Sequence, residues 1–368
     1  MGMYDGRARV LRPEIAPGCR VLVISDIHAN LPYFEGLLNK VGFCEDDVLI
    51  LDGDFLEKGA ESLKTLRRVM ALCGKGNVLP VMGNCDDWAA IFQENGPWAR
   101  NIPHYMQYRK SGLLWDMALE LGLDPMAVGE LEDFKKRLAA RFPEEFAFLG
   151  TLPHALEAGR YVFAHAAVYP DKPLEAHTAG ELLRCDAWYE RGYAFDKWVV
   201  VGHYPVMLYC RDIVCANPIL DRARHVACID GACVLKDDGQ LNCLIIPDIT
   251  KDELSFEAYD PFPVRRVLRD QQASARSAYI RWGDSRVRVL ERGPEFSRCR
   301  HVRTGYELDI LTKYLFSDGE YTDCNDCTDY VLPLRAGDEV GVVEETTRGY
   351  FVKHNGVSGW YFGELNSL

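Results

Sequence analysis

The chain has 368 residues, of which 48% are hydrophobic and 26% charged, with a formal net charge of −13. That length and apolar share suffice for a substantial core and about two domains. The negative balance excludes a protein that coats nucleic acid, which needs a basic footprint for phosphates. No run reaches the roughly 18 apolar residues of a membrane helix, and the first twenty residues carry charges rather than the apolar core of a secretory signal. A cytoplasmic protein without a membrane partner is therefore expected. The thirteen cysteines are scattered and odd in number, several of them inside apolar runs (Cys228, Cys233, Cys243). Reduced, buried thiols are the expectation for such a pattern.

Five short runs set the framework: VLVIS (21–25), VLILDG (48–53), NVLPVMG (77–83), YVFAHA (161–166) and KWVVVGH (197–203). They are rich in β-branched and apolar residues and read as buried strands. Between the first three lie NLPYFEGLLNKVGF and ESLKTLRRVMALCG, with apolar residues at helical spacing and glycine at or after the end. Successive β-α-β units follow. Each strand delivers a metal-ligating side chain at or just beyond its end: Asp26 and His28, then Asp54, Asn84, His165 and His203. In open α/β sheets ligands collect outside the carboxyl ends of strands, where loops bring distant residues together.

Carboxylate and imidazole donors suit manganese, iron and zinc, and a carboxylate such as Asp54 can bridge two ions. Asn84 adds a neutral oxygen, which avoids further negative charge in a site built for phosphate. Two cations about 3.5 to 4 Å apart neutralise a phosphate ester and lower the pKa of a bridging water. Any one of these fragments alone reads as a turn, a cap or a core histidine. All five segments in one order point to a dinuclear centre, with manganese the first choice of metal and iron or zinc the alternatives.

These residues resemble the calcineurin-like metallophosphoesterases, and within them the bacterial phosphoprotein phosphatase branch, which includes serine/threonine phosphatase and diadenosine tetraphosphatase-like members. SDIHAN, LDGDFLEKG, MGNCDD, FAHAAV and VVVGHYP match that branch's signatures, with Glu57 and Lys58 where its GDxxDRG has Asp and Arg. ELLRCDAWYERGYAFDKWVVVGHYP (181–205) and ACIDGACVLKDDGQLNCLII (227–246) extend the likeness, which runs from about residue 20 to 250. The resemblance implies Asp26, His28 and Asp54 on one metal and Asp54, Asn84, His165 and His203 on the other. It also implies Arg191 as the phosphate clamp, a role that suits a planar guanidinium. Lys58 is a second candidate for contact with the substrate.

Two departures from that pattern stand out. Cys85 occupies the position of the His that is thought to protonate the leaving group, and a thiol is a poor general acid toward an alkoxide. Good leaving groups, including a nucleotide phosphate, need less protonation. Asp86 or Asp87 is the candidate substitute donor, or a partner for Arg191 or Lys58, with an N-cap before WAAIFQ as the plainer reading. The second departure is an insertion of over 70 residues before the strand near 161, helix-patterned across about 88–150. Its Trp88, Trp98, Tyr105, Tyr108 and Trp115 either form the insertion's own core, the preferred reading, or wall a substrate cleft. His104 and His154 are assigned no metal.

From about residue 277 the pattern changes to short alternating strands with turns at AGD, TTRG and HNGVSG. LRAGDEVGVVEE, GYFVKHNG and GWYFGEL look like a bacterial SH3-like domain. Tyr350, Trp360 and Tyr361 are its candidates for a peptide or subunit contact, or else they fill its barrel. Cys324 and Cys327 form a CxxC that Cys299 and His301 could complete as a zinc site. The expected fold is α/β: a metallophosphoesterase β-sandwich flanked by helices over 1–260, with a smaller all-β domain over 261–368 and the SH3-like barrel at about 330–368. The expected function is hydrolysis of a phosphomonoester, on a phosphoprotein or a small molecule. The alternatives are a diadenosine polyphosphate hydrolase or nucleotide phosphodiesterase and, in another class, a non-catalytic metal-binding scaffold acting through the C-terminal domain.

Overall fold

The computed structural model describes residues 6–93, 96–316 and 319–367. The chain divides into two compact units, one comprising the chain up to Pro205 with Pro218–Leu235 and Gly239–Tyr259, the other Val206–Asn217, Lys236–Asp238 and the chain from Asp260 onward.

The first unit is a β-sandwich, and period-2 alternation along its strands explains how it packs. In Val21–Ile24, Val21 and Val23 face one way and Leu22 and Ile24 the other, and all are fully buried. Val48–Asp52 and Val78–Val81 continue the same sheet in parallel register, while Leu241–Ile246 pairs antiparallel on the other side of Val21–Ile24 and carries Ser255–Tyr259 at its edge. A second sheet runs in the order Val10–Leu11, Ala155–Ala158, Tyr161–Phe163, Trp198–Val201, Val226–Cys228, Ile219–Asp221. Val21, Val23, Ile50 and Val81 share one core with Tyr161, Phe163, Trp198 and Val200 of that second sheet. Burial of such side chains contributes about 1.5–3 kcal/mol apiece.

Leu22, Ile24, Leu49 and Leu51, on the opposite face of the first sheet, share a core with the helices Leu31–Val41 and Ser62–Cys73. The first of these helices starts where the Asn30 side chain accepts the amide of Tyr33, and it stops at Gly42, whose φ of 61° is left-handed. The expected insertion is present as helices from Trp88–Gln93 to Pro143–Thr151, and Ile102, Met106, Leu113, Leu114, Met117, Phe134 and Leu138 join the same core. Arg67 anchors it by hydrogen bonds to Glu120 and Glu145.

The second unit is all β apart from short 3-10 turns. A six-stranded sheet runs Leu365–Ser367, Val264–Val267, Glu339–Glu345, Tyr350–His354, Val357–Tyr361, Val214–Cys215, and a four-stranded antiparallel sheet is built from Glu307–Leu311, Phe296–His301, Arg286–Glu291 and Tyr321–Asp323. Tyr361 is fully buried and Trp360 nearly so, with the indole donating to the carbonyl of Thr328, so both fill cores rather than present a surface. Among the described residues of this unit, Trp282, Phe316, Tyr321 and Phe362 are the exposed aromatics. The zinc reading of the CxxC is not supported. Both ring nitrogens of His301 are engaged, by Thr304 and by the carbonyl of Asp284, and no cluster of three metal-ligating atoms forms there among the described residues. Among the described residues no helix is long and apolar enough to cross a membrane.

Candidate metal centre

Hydrogen bonds between the loops at the strand ends bring the six expected ligands together in the first unit. The amide of Asp26 donates to the carbonyl of Gly53, and that of His28 to the carbonyl of Asp54. Asp26, His28, Asp54 and His203 all adopt positive φ, between 50° and 67°. Left-handed backbone at non-glycine residues costs about 1 kcal/mol or more each and persists where surrounding structure enforces it, as at functional sites. Glycines supply that enforcement. A Cβ on Gly202 would lie 2.1 Å from Asp26 Oδ2, one on Gly83 would lie 2.2 Å from Asp54 Oδ1, and one on Gly53 would lie 2.6 Å from His165 Nδ1.

The ligand atoms of Asp54, His165 and His203 lie within 4.8 Å of one another, and so do those of His28, Asp54 and Cys85; Asp54 is common to both groups. Asp26 adjoins the second group, its Oδ1 3.8 Å from His28 Nε2. The terminal side-chain amide of Asn84 reaches to 2.7 Å from His203 Nδ1 and 3.2 Å from His165 Nε2. His165 Nδ1 lies 3.0 Å from the carbonyl of Asp52, which assigns its proton to Nδ1 and leaves Nε2 as a donor of electrons. An amide, two imidazoles and a carboxylate thus converge on a common space.

Electrostatics suit cations there. Burial pushes His28 down to about 4 and His203 down to about 3, so both are neutral at physiological pH, the form in which an imidazole binds a metal. Burial also opposes a charge on His165, yet the carboxylates of Asp54 and Asp26 raise it to about 10. The imidazole therefore reports a strongly negative potential. Asp26 Oδ1 is buried without a hydrogen-bond partner among the described residues. A carboxylate left that way is costly unless a positive charge meets it. The donor set fits two divalent ions.

The sequence profile of the calcineurin-like phosphoesterases matches residues 19–220, more than half of the chain. The chain belongs to that family. The phosphoesterase is 26% identical over 213 residues, half of its own length and 78% of the relative's, to the bis(5′-nucleosyl)-tetraphosphatase (asymmetrical) of Bacillus subtilis (strain 168). Among solved structures it is similar to a metallophosphoesterase from Sphaerobacter thermophilus, with a TM-score of 0.37 and 19% identity over 66% of this chain and 89% of that one. A protein serine/threonine phosphatase from Saccharomyces cerevisiae gives a TM-score of 0.42 and 13% identity over 70% and 85%.

The remaining candidates of the phosphoesterase fall in different places. Lys58 lines a cavity of about 210 Å³ together with Asn84 and Cys85. Asp86 does not face that cavity. It is fully buried and accepts the amides of Asp54, Gly83 and Leu56, so it holds the two ligand loops together away from the cavity. Asp87 accepts the amide of Ala90, as an N-cap does. Burial and the neighbouring Asp54 raise the Cys85 thiol well above its usual range, so it holds its proton too tightly to serve as an efficient acid. Arg191 is exposed, its guanidinium 5.9 Å from the Tyr169 ring.

Sequence reasoning passed over two residues. Arg184 lines the same cavity as Asn84 and lies 6.0 Å from the ring of Trp98. Its signal was its place after ELL, at the end of the helix Ala179–Leu183. Glu57, expected only as a replacement within a motif, is fully buried and accepts from Trp88 Nε1, Tyr105 OH and the amide of Leu113. It ties the ligand loop to the insertion. Trp88 belongs to the core and Tyr105 and Trp115 pack against it, as in the preferred reading; Trp88, Trp98 and Tyr105 also line the cavity, and Trp98 and Tyr108 are exposed.

Proposed function

We propose that this protein is a dinuclear metal-dependent hydrolase of phosphate esters and anhydrides with good leaving groups, nucleoside polyphosphates foremost among them. The observation that carries the reading is the convergence of Asp26, His28, Asp54, Asn84, His165 and His203, with Asp54 common to both ligand groups. Two divalent cations bound there, manganese by preference, supply neutralisation of phosphate charge and acidification of a water nucleophile. The chain's own residues do the rest. Asp52 fixes the tautomer of His165 through its carbonyl, Asp86 holds the Asp54 and Gly83 loops in register, and Lys58 and Arg184 present cations to a phosphate group in the adjoining cavity. Arg191 is a third candidate cation.

The choice of leaving group rests on Cys85 and Asp86. Neither delivers a proton readily, so an alkoxide such as that of serine leaves slowly, while a nucleotide phosphate needs no help. The relative in Bacillus subtilis, named for dinucleoside tetraphosphates, supports the same choice. Hydrolysis of phosphoserine peptides is the second reading, favoured by the resemblance of the motifs to phosphoprotein phosphatases. A panel with manganese separates them: diadenosine tetraphosphate and p-nitrophenyl phosphate should turn over faster than a phosphoserine peptide. Preference for the peptide would reverse the assignment, and no turnover of any of the three would leave the scaffold reading in its place.

A further inference from the structure

The cavity beside Asn84 has a composition that metal binding and phosphate contact do not explain. Lys58, Asn84 and Arg184 bring charge and polarity, but Trp98, Tyr105 and Asn101 of the helical insertion also line it. Trp98 keeps 54% of its surface exposed although it borders a helix-rich core, and the guanidinium of Arg184 lies 6.0 Å from its ring. The Tyr105 ring packs against Trp88 at 5.6 Å, and both rings are fixed through their polar atoms by Glu57. Beside this fixed pair, the exposed ring of Trp98, with Arg184 near it and Asn101 in the same lining, suits a flat, polar-edged heterocycle.

We propose that this cavity is a nucleobase subsite: Trp98 stacks a purine, Asn101 reads its edge, and Lys58 and Arg184 hold the attached phosphates toward Asn84 and the metal ligands. The proposal deepens the phosphoesterase reading and rests on it for the position of the reacting phosphate. Base–aromatic stacking is insensitive to sequence because every base has a π face. An asparagine amide sets one donor beside one acceptor, the complement of an adenine edge. A volume of about 210 Å³ admits a base.

The test uses the full chain and adenosine 5′-monophosphate, ribose 5-phosphate and phenyl phosphate as probes. In calorimetry on metal-free protein, the adenosine nucleotide should bind more tightly than ribose 5-phosphate or phenyl phosphate. Trp98→Ala should weaken nucleotide binding by about tenfold or more, and Trp98→Phe should restore most of it. In manganese-loaded protein, the same alanine variant should lower the ratio of kcat/KM for diadenosine tetraphosphate over that for p-nitrophenyl phosphate. Tyr108→Ala, in the same insertion but outside the cavity, should leave that ratio unchanged. Because Trp98 is half exposed, its removal should not prevent folding, and Asn101→Leu provides an independent variant that should weaken nucleotide binding. Equal affinity for all three probes, or an alanine variant with wild-type affinity and ratio, would overturn the subsite. If esters are hydrolysed while those binding results fail, the base site falls and the phosphoesterase stands. If the nucleotide binds through Trp98 but no ester is hydrolysed, the reverse holds.

Discussion

The ligand loops of the sandwich and the helical insertion both border the cavity at Asn84 and Cys85, yet different forces set their shapes. The loops are fixed mainly by backbone: left-handed residues at Asp26, His28, Asp54 and His203, and glycines at 53, 83 and 202 that admit no Cβ, with the Asp86 carboxylate accepting three of their amides. The insertion is fixed by side chains: Glu57 receiving Trp88, Tyr105 and Leu113, and Arg67 reaching Glu120 and Glu145. Changes in the wall should alter substrate choice, and changes in the loops should alter the chemistry.

Substitutions in the two regions should therefore have different signatures. The largest effect is expected from Asp54→Asn, which removes the carboxylate common to both ligand groups. Turnover of p-nitrophenyl phosphate should fall by about a thousandfold or more, and mass spectrometric metal analysis should show the loss of at least one equivalent. Gly202→Ala should follow. Its Cβ would collide with Asp26 Oδ2, the atom that also accepts the amide of His203. A loss of about 10- to 100-fold in metal affinity or activity is expected, with little change in nucleotide binding to the metal-free protein.

In the insertion the balance should invert. Glu57→Ala strands three buried donors, two of them on aromatics of the cavity wall. A destabilisation of about 2–4 kcal/mol in urea unfolding is expected, together with weaker nucleotide binding and retained metal stoichiometry. Loss of metal with unchanged stability would erase the distinction between the two regions.

The smallest effect concerns pH and lies at the edge of the second sheet. Burial and the charge of Arg9 push His154 down to about 4, and its Nδ1 accepts the amide of Arg9. The unfolded chain takes up this proton near 6.5 while the folded protein resists until about 4, so stability falls as pH drops through that window. Between pH 7 and 5 the loss from this group should be about 1–2 kcal/mol. His154→Gln should flatten that part of the stability profile, and an unchanged slope would show that the proton is taken up elsewhere.

The unequal legibility of the two regions has the same physical origin. Each proposed metal ligand follows an apolar strand a few residues long, so local pattern singled out Asp26, His28, Asp54, Asn84, His165 and His203 without knowledge of tertiary contacts. The helices of the insertion were legible too, from their apolar stripes. What Trp98 and Arg184 face was not, because that depends on how helices far apart in sequence pack. Nor was the role of Asp86, whose carboxylate is consumed by amides of residues up to 32 positions away. In the second unit, Val357–Tyr361 pairs with Val214–Cys215, a contact across more than 140 residues that no local periodicity announces.

The most direct test of the account is anomalous scattering from crystals of the full chain grown with manganese. Two peaks are expected, about 3.5 to 4 Å apart, with Asp54 between them and the side chains of Asp26, His28, Asn84, His165 and His203 around them. A single peak, or peaks that leave these six side chains uncoordinated, would contradict it.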